Sequence, residues 1–511
     1  MWLPSTDSTL TRASIAQSAR HRSSGRVLTQ VFLALLVVAV CVLPFADLKV
    51  YRVEPWHELG RMLHGLVTPR WYDGLGLVQA ALRTVAFALL AVSGAAVAGL
   101  LLSVVFKYRL VRVGCASVRA IHELFWALLF MQVFGLSALT GVLAIFVPYV
   151  GIFAKVYAEI LEQQSHIPAQ TLVPGADRVS RYLYTWLPQA WRELQSYTRY
   201  RFECGLRSSA VLGFIGLPTL GFHLDTMFKQ GDYSQSSALL LSFYLLILGI
   251  GWWMRPRLIP LYLVGAMIVL WPYSAIHGSD HLWRFLSHDI WPRALREGDW
   301  SGAAAWYVRQ FSEVGAPALV NTLLISQLAL ALAGLLVLLT YPWASRALVG
   351  RGMSVLGHAS LLILRSTPEI ILAFLFLLLF GPSGLPAVLA LAVHNGGLIA
   401  YLLACQSERL PRRLDAPSGF DAYLYDHTPR LFSRFLAFLL YRWENILRES
   451  AIIGILGVTT LGFYVDSAFA EFHYDRAVFF ILLASTLNVL VDMLSRRLRG
   501  YAQLHEPRLA C

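Results

Sequence analysis

Twelve separate stretches, each about the length of a membrane span and predominantly apolar, run through this chain, and few folds can hold so many. They lie at 27–46, 78–105, 119–135, 137–160, 207–227, 235–254, 258–275, 317–341, 358–380, 384–405, 448–468 and 476–495. A helix needs about 20 apolar residues to cross the hydrocarbon of a bilayer. With 57% of residues hydrophobic and 14% charged, the chain is too apolar for ordinary water-facing cores, which belong to domains about half apolar and a quarter charged. The expectation is an all-α integral membrane protein with about 12 transmembrane helices. The fifth and eleventh runs are the weakest, being short and rich in glycine.

Charge supplies the orientation. Residues 1–26 hold Arg12, Arg20, Arg22 and Arg26 and lead into the first apolar run. That run lacks a small-residue cleavage site, so it reads as an anchor behind a cytoplasmic tail and not as a removed signal. Lys107, Arg109 and Arg112 fill one short loop, Arg255 and Arg257 another. Short basic loops stay in the cytoplasm, which makes both termini cytoplasmic and leaves 501–511 as a C-terminal tail. The two external segments, 47–76 and 273–316, carry Trp56, Trp71, Trp283, Trp291, Trp300 and Trp306. Tryptophan there suits either an interface belt or packing of the loops themselves. The net charge of +12 is spread through these segments rather than gathered beside stacking aromatics, so nucleic acid is not an expected partner. Cys41, Cys115, Cys204, Cys405 and Cys511 are scattered and never paired as Cys-x-x-Cys, and read as buried apolar fillers.

The chain also repeats itself. Segments 200–221 and 441–462 share twelve identities in 22 positions. Tyr200, Arg201, Glu203, Leu206, Arg207, Ser209 and Ala210 recur as Tyr441, Arg442, Glu444, Leu447, Arg448, Ser450 and Ala451. Gly213, Gly216, Thr219, Leu220 and Gly221 recur as Gly454, Gly457, Thr460, Leu461 and Gly462. Upstream, at a slightly different offset, Arg119 and Glu123 match Arg365 and Glu369, and the run from Gly141 matches that from Ala387. The reading is two tandem six-helix repeats, 27–256 and 257–500. An even number of spans in each makes both face the same way, related by a pseudo-twofold along the membrane normal with a pathway between them.

At these residues the chain resembles the permease subunits of phosphonate-type ABC importers, within the type I importer class. The likeness is carried by the run from Arg119 through His122 to Glu123, by Gly141 to Glu162, Leu187-Pro188-Gln189 and Ser196 to Gly221. In the second half it is carried by Arg365 to Ile370, Tyr441 to Gly462, and the stretch opening at Asp492. It covers about 75–341 and 317–500, as two permease domains fused. Permeases of this class dock a short cytoplasmic helix into the ATPase. Gly175, Leu187 and Pro188 stand at that loop's spacing, with Ala169, Gln170 and Thr171 in place of its opening triplet. Helix-in-groove docking carries ATPase motion to the spans. In the second half Pro429 aligns with Pro188, but Ala416 replaces the glycine, and Pro411 and Pro417 fall inside the loop, where proline opposes a helix.

No phosphate-cradling Gly-x4-Gly-Lys-Ser/Thr loop, metal-spaced His/Cys cluster or nucleophile–base pair occurs in the sequence. The resemblance therefore implies a non-enzymatic permease that binds no cofactor. ATP would be hydrolysed by two copies of a partner ATPase, and substrate delivered by a periplasmic or lipid-anchored binding protein at a bacterial inner membrane. The implied cargo is phosphonate, phosphate or a related small oxyanion. An ion-gradient-driven carrier and a non-catalytic membrane scaffold are the competing classes; Glu159 and Asp492 lie near span ends, which disfavours the former.

Charges in or beside spans are the candidate pathway: Arg119, Glu123, Arg365, Glu369, Arg207, Arg448, with Ser209 and Ser450. Each Arg/Glu set is spaced four apart, which places both on one helix face. Either these are ion pairs fixing helix register, with arginine snorkelling, or some arginines face the pathway and select an oxyanion. Gly213, Gly216 and Gly221, with Gly454, Gly457 and Gly462, are candidate gate residues in a broken span, or small-residue helix packing. His394 and Asn395 are either an interhelical hydrogen-bonding pair or ligand contacts.

Overall fold

The computed structural model describes residues 8–502 and 504, apart from 52–53, 72, 166, 171–176, 275–278, 412–414, 416 and 418. Side chains are described from residue 25 onward, except 169–170, 178 and 279–280. Among the described residues every regular element is helical. Eight helices are long and apolar enough to cross a membrane, or eleven if each of three bent pairs is one span. The sixth run, 235–254, forms only a shorter apolar helix, Tyr233–Leu248, broken at Gly249 before Ile250–Trp253. The ninth, 358–380, is split at Pro368 between the end of Arg346–Ser366 and the shorter apolar helix Glu369–Phe380.

The principal helices are α1 (Ser8–Val42), α2 (Pro55–Val67), α3 (Gly74–Val104), α4 (Arg109–Ala120), α5 (Glu123–Phe134), α6 (Ala138–Glu162), α7 (Leu187–Val211), α8 (Leu220–Gln230), α9 (Tyr233–Leu248) and α10 (Ile259–Leu270). They continue with α11 (Ala316–Ala344), α12 (Arg346–Ser366), α13 (Glu369–Phe380), α14 (Gly384–Glu408), α15 (Thr428–Ile453), α16 (Leu461–Ala470) and α17 (Tyr474–Tyr501).

Local chemistry sets their ends. Ser137 caps α6 by accepting from the Thr140 N–H, and Ser383 caps α14 by accepting from Leu385. Gly135 and Gly381 end α5 and α13 at φ 66° and 83°, a conformation that only glycine adopts freely. Where α7 gives way to α8, the Leu220 N–H meets the Thr84 hydroxyl at 2.9 Å; where α15 gives way to α16, the Leu461 N–H meets Thr322 at 3.0 Å. The local geometry thus recurs beyond the residues that matched in sequence.

Helices α3, α6 and α7 share one core, built on Phe87, Ile145, Phe153 and Leu206. A second core joins α11, α14, α15 and α17 around Leu330, Leu391, Phe435 and Leu439. The leading helix of each sequence half packs on the other half. Phe32 of α1 lies edge-on to Phe435 at 5.3 Å, and Gln327 of α11 donates to the Leu35 carbonyl. Conversely, Ala266 and Leu270 of α10 are buried in the first core. The outer faces are apolar: Val40 is 70% exposed and Ile268 68%. Such surfaces suit lipid, not water.

The cysteines are not uniform fillers. Cys115 is buried, Cys41 exposed, and Cys204 and Cys405 between.

Candidate functional site, a basic cavity between the two halves

Helices α7 and α15 define the site, each running from a polar loop to a glycine bend over about 37 Å. Pro188 and Pro429 lie inside longer helices that begin upstream, at Val179 and Gly419, where a widened turn makes room for the ring and the missing N–H. Both are preceded by a wide π-type turn, Tyr182–Trp186 and Ala422–His427. Gly175 and Ala416 lie outside the described residues. Pro411 and Pro417 fall in non-helical chain before α15, so neither breaks a helix.

Past these turns the two helices border a cavity of about 1960 Å³, closed in by α4, α6, α12 and α14 as well. Nine basic side chains line it against four carboxylates (Glu159, Glu193, Glu203 and Glu444). Exposed Arg199, Arg409 and Arg434 stand toward the loop end, and Arg119, Arg365, Arg448 and Arg201 lie deeper. The surplus of positive charge in a low-dielectric recess favours an anion.

The deep charges are paired across the halves, not along one helix. Between α4 and α5 the chain turns by 89° at Ile121 and His122, so Arg119 and Glu123 sit on different helices despite their spacing. Pro368 separates Arg365 from Glu369 in the same way. Arg119 instead bonds Glu444 and Asp492, both at 3.0 Å, and Arg365 bonds Glu203 at 2.8 Å. Arg207 donates to the Arg365 carbonyl at 3.0 Å, and Arg448 to the Arg119 carbonyl at 2.9 Å. Every one of these contacts crosses from one half to the other, and matched residues make matched bonds. Asp492 has no counterpart: it also binds Arg496, so one junction holds four charges and the other two.

Of the eight pathway candidates, Arg119, Arg365 and Arg448 line the cavity. Glu123 accepts from Ser208 at 2.6 Å. Glu369 lies 3.8 Å from His394, whose Nδ1–H donates to the Thr367 carbonyl and whose Nε2 faces Arg207. Ser209 and Ser450 are fully buried and bond back to the Leu206 and Leu447 carbonyls of their own helices. Asn395 accepts from Arg442 at 2.6 Å and donates to Glu449. His394 and Asn395 thus hold interhelical hydrogen bonds and do not reach the cavity.

One turn beyond Arg207 and Arg448 the two helices become apolar and buried. Leu124, Val211, Ile370, Ile371 and Ile452, each 3% exposed or less, meet with Phe228 and Phe374 in one apolar cluster between the halves. Leu124 and Ile370 follow the matched glutamates, and Val211 and Ile452 are equivalent in the other repeat block. These positions were legible as repeat partners but, being ordinary apolar residues, gave no reason to be singled out.

The six glycines lie just past this cluster and none lines the cavity. The helices bend there by 52° and 45°. A Cβ on Gly221 would overlap the Ala210 carbonyl oxygen, and one on Gly462 that of Ala451. Gly216 and Gly457 take φ 97° and 90°. Each helix pair is bent here, and close backbone packing is what demands glycine.

Membrane-crossing helices around a charged cavity, with a buried apolar cluster one turn beyond its deep arginines, define a transport protein of the membrane. Comparison with known proteins agrees. The phosphate-import permease protein PhnE of Mycolicibacterium smegmatis is 23% identical over 489 residues, 86% of this chain and 88% of that one. The phosphite transport system permease protein PtxC of Stutzerimonas stutzeri is 24% identical over 265 residues, covering 50% of this chain and 91% of its own. A cryptic phosphonate transport system permease protein of Escherichia coli, PhnE2, is 32% identical over 99 residues, 19% of this chain and 81% of its own. No protein-family model matches, and no solved structure does. The chain belongs to the phosphonate-type permeases of ABC importers. It is the permease subunit of such a system, a transport component and not a catalytic one.

Proposed function

We propose that the chain is two such permease domains fused, spanning about 12 times, which import a small phosphorus oxyanion by alternating access. The observation that carries this reading is the basic cavity between halves, walled by matched arginines and stopped by a matched apolar cluster. A guanidinium fork suits the oxygens of phosphate, phosphite or phosphonate, the cargoes in the relatives' names. Fusion is supported by the sequence repeat and by a relative that matches half of this chain along nearly all of itself. One chain then supplies both halves of the pathway.

In this reading the loops before α7 and α15 face the cytoplasm and dock two copies of an ATPase that binds the ATP. A binding protein delivers substrate to the opposite face, at a bacterial inner membrane with both chain termini inside. Gln164, Arg409 and Pro411, which flank those loops, line the cavity, and this supports a pathway open toward the cytoplasm. ATP binding would draw the loops together and transfer opening to the far side. The test is co-purification of the tagged chain with its cognate ATPase, wild type beside Gly175→Pro. Wild type should retain the ATPase, and the variant should lose it or hydrolyse ATP without uptake. A folded wild-type chain that retains no ATPase would contradict the reading.

A further inference from the structure

The repeat places an arginine at 201 and at 442, and the two have opposite surroundings. Arg442 is neutralised: Glu449 accepts from it at 3.0 Å and Asn395 at 2.6 Å. At the positions matching Glu449 and Asn395 stand Ser208 and Tyr149. Arg201 accordingly has no carboxylate within ion-pair distance among the described residues. Its Nε donates to the Tyr197 hydroxyl at 2.8 Å. The guanidinium lies 5.5–5.9 Å from the ring centres of Tyr197, Tyr149 and Tyr200. Ring faces keep a guanidinium charged without consuming its hydrogen bonds.

Arg201 lines the cavity. The other deep cations are committed, Arg119 and Arg365 to carboxylates and Arg448 to a backbone carbonyl and Asn445. We propose that Arg201 is the anion contact of the cavity. Its two Nη groups would hold a tetrahedral phosphorus oxyanion on the first half's side, so the fused chain has one such contact where a symmetric dimer would have two. A single site fits the cargo, since two facing cations would trap it in place of releasing it. The inference rests on the importer reading above.

The experiment uses the complete importer, with ATPase and binding protein, in proteoliposomes. It measures uptake of labelled phosphate, phosphite and methylphosphonate per ATP hydrolysed at saturating binding protein. Arg201→Gln should lower that ratio about tenfold or more, with stimulated hydrolysis within about twofold of wild type, and Arg201→Lys should recover part of it. A wild-type ratio in Arg201→Gln overturns the proposal. If Arg201→Gln fails to assemble, Arg201→Lys decides: a ratio several-fold below wild type supports the contact, and an unchanged ratio overturns it. A wild-type complex that assembles but imports none of the three anions brings down the importer reading itself, and this inference with it.

Discussion

Arg119 and Arg365 occupy matched positions, yet their removal should differ. Arg119 is 12% exposed and faces two carboxylates, Glu444 and Asp492, while Arg365 is 19% exposed and faces only Glu203. Removing one partner of a buried pair costs about 3–5 kcal/mol because a charge is left without compensation. Arg119→Ala should approach that range, although Arg496 still binds Asp492. Arg365→Ala should cost clearly less, being more exposed. Thermal unfolding of the detergent-solubilised protein compares them, and equal losses would contradict the inequality of the two junctions. Swapping the charges, Arg365→Glu with Glu203→Arg, should restore most of what either single change removes. The residues of this network were legible as candidates, but their partners were not. Spacing of four suggests a shared helix face, and nothing local announces the turn at His122 or the partner 325 positions away.

The elements carry their own constraint at the two glycine bends. Gly221→Ala or Gly462→Ala sets a methyl group against a backbone carbonyl that cannot withdraw, so each should sharply lower the yield of folded protein. Gly114→Ala in α4 meets nothing within 4 Å and should be neutral, or stabilising by up to about 1 kcal/mol from helix propensity. Membrane yield and melting temperature check both. The apolar cluster next to these bends gives a separate prediction. Ile370→Ala with Ile452→Ala shortens two facing side chains of the seal and should let small anions leak through the permease without ATP, measured as dissipation of an anion gradient in liposomes. A double variant that assembles and stays tight would show that the seal lies elsewhere. At this scale the sequence was most informative: ten of the twelve apolar runs correspond to a long apolar helix or a bent pair, because twenty apolar residues leave little choice in lipid, while 235–254 and 358–380 are each broken into shorter pieces. The bends were visible only as glycine-rich weakness.

At the scale of the whole molecule the two halves are interlocked. With α1 packed on the second core and α10 on the first, neither half buries its own surface alone. Fragments 1–256 and 257–511, co-expressed with a tag on one, should co-purify in detergent; independent recovery of each would contradict the interlock. This exchange could not be read from the sequence, since an apolar helix carries no address for the core it joins. The repeat raised the expectation of a two-part molecule, and family resemblance announced its class. It did not announce the asymmetry between the halves, which resides in single substitutions such as Ser208 for Glu449 and Gly251 for Asp492.

The central claim is ATP-driven import of a phosphorus oxyanion through the cavity between the halves. Its most direct test is accumulation of labelled phosphate, phosphite or methylphosphonate by proteoliposomes holding this chain and its ATPase, with binding protein outside. The account predicts accumulation against a gradient that requires both ATP and the binding protein and ignores proton and sodium gradients. Accumulation driven by an ion gradient without ATP would contradict it, as would none at all from an assembled complex.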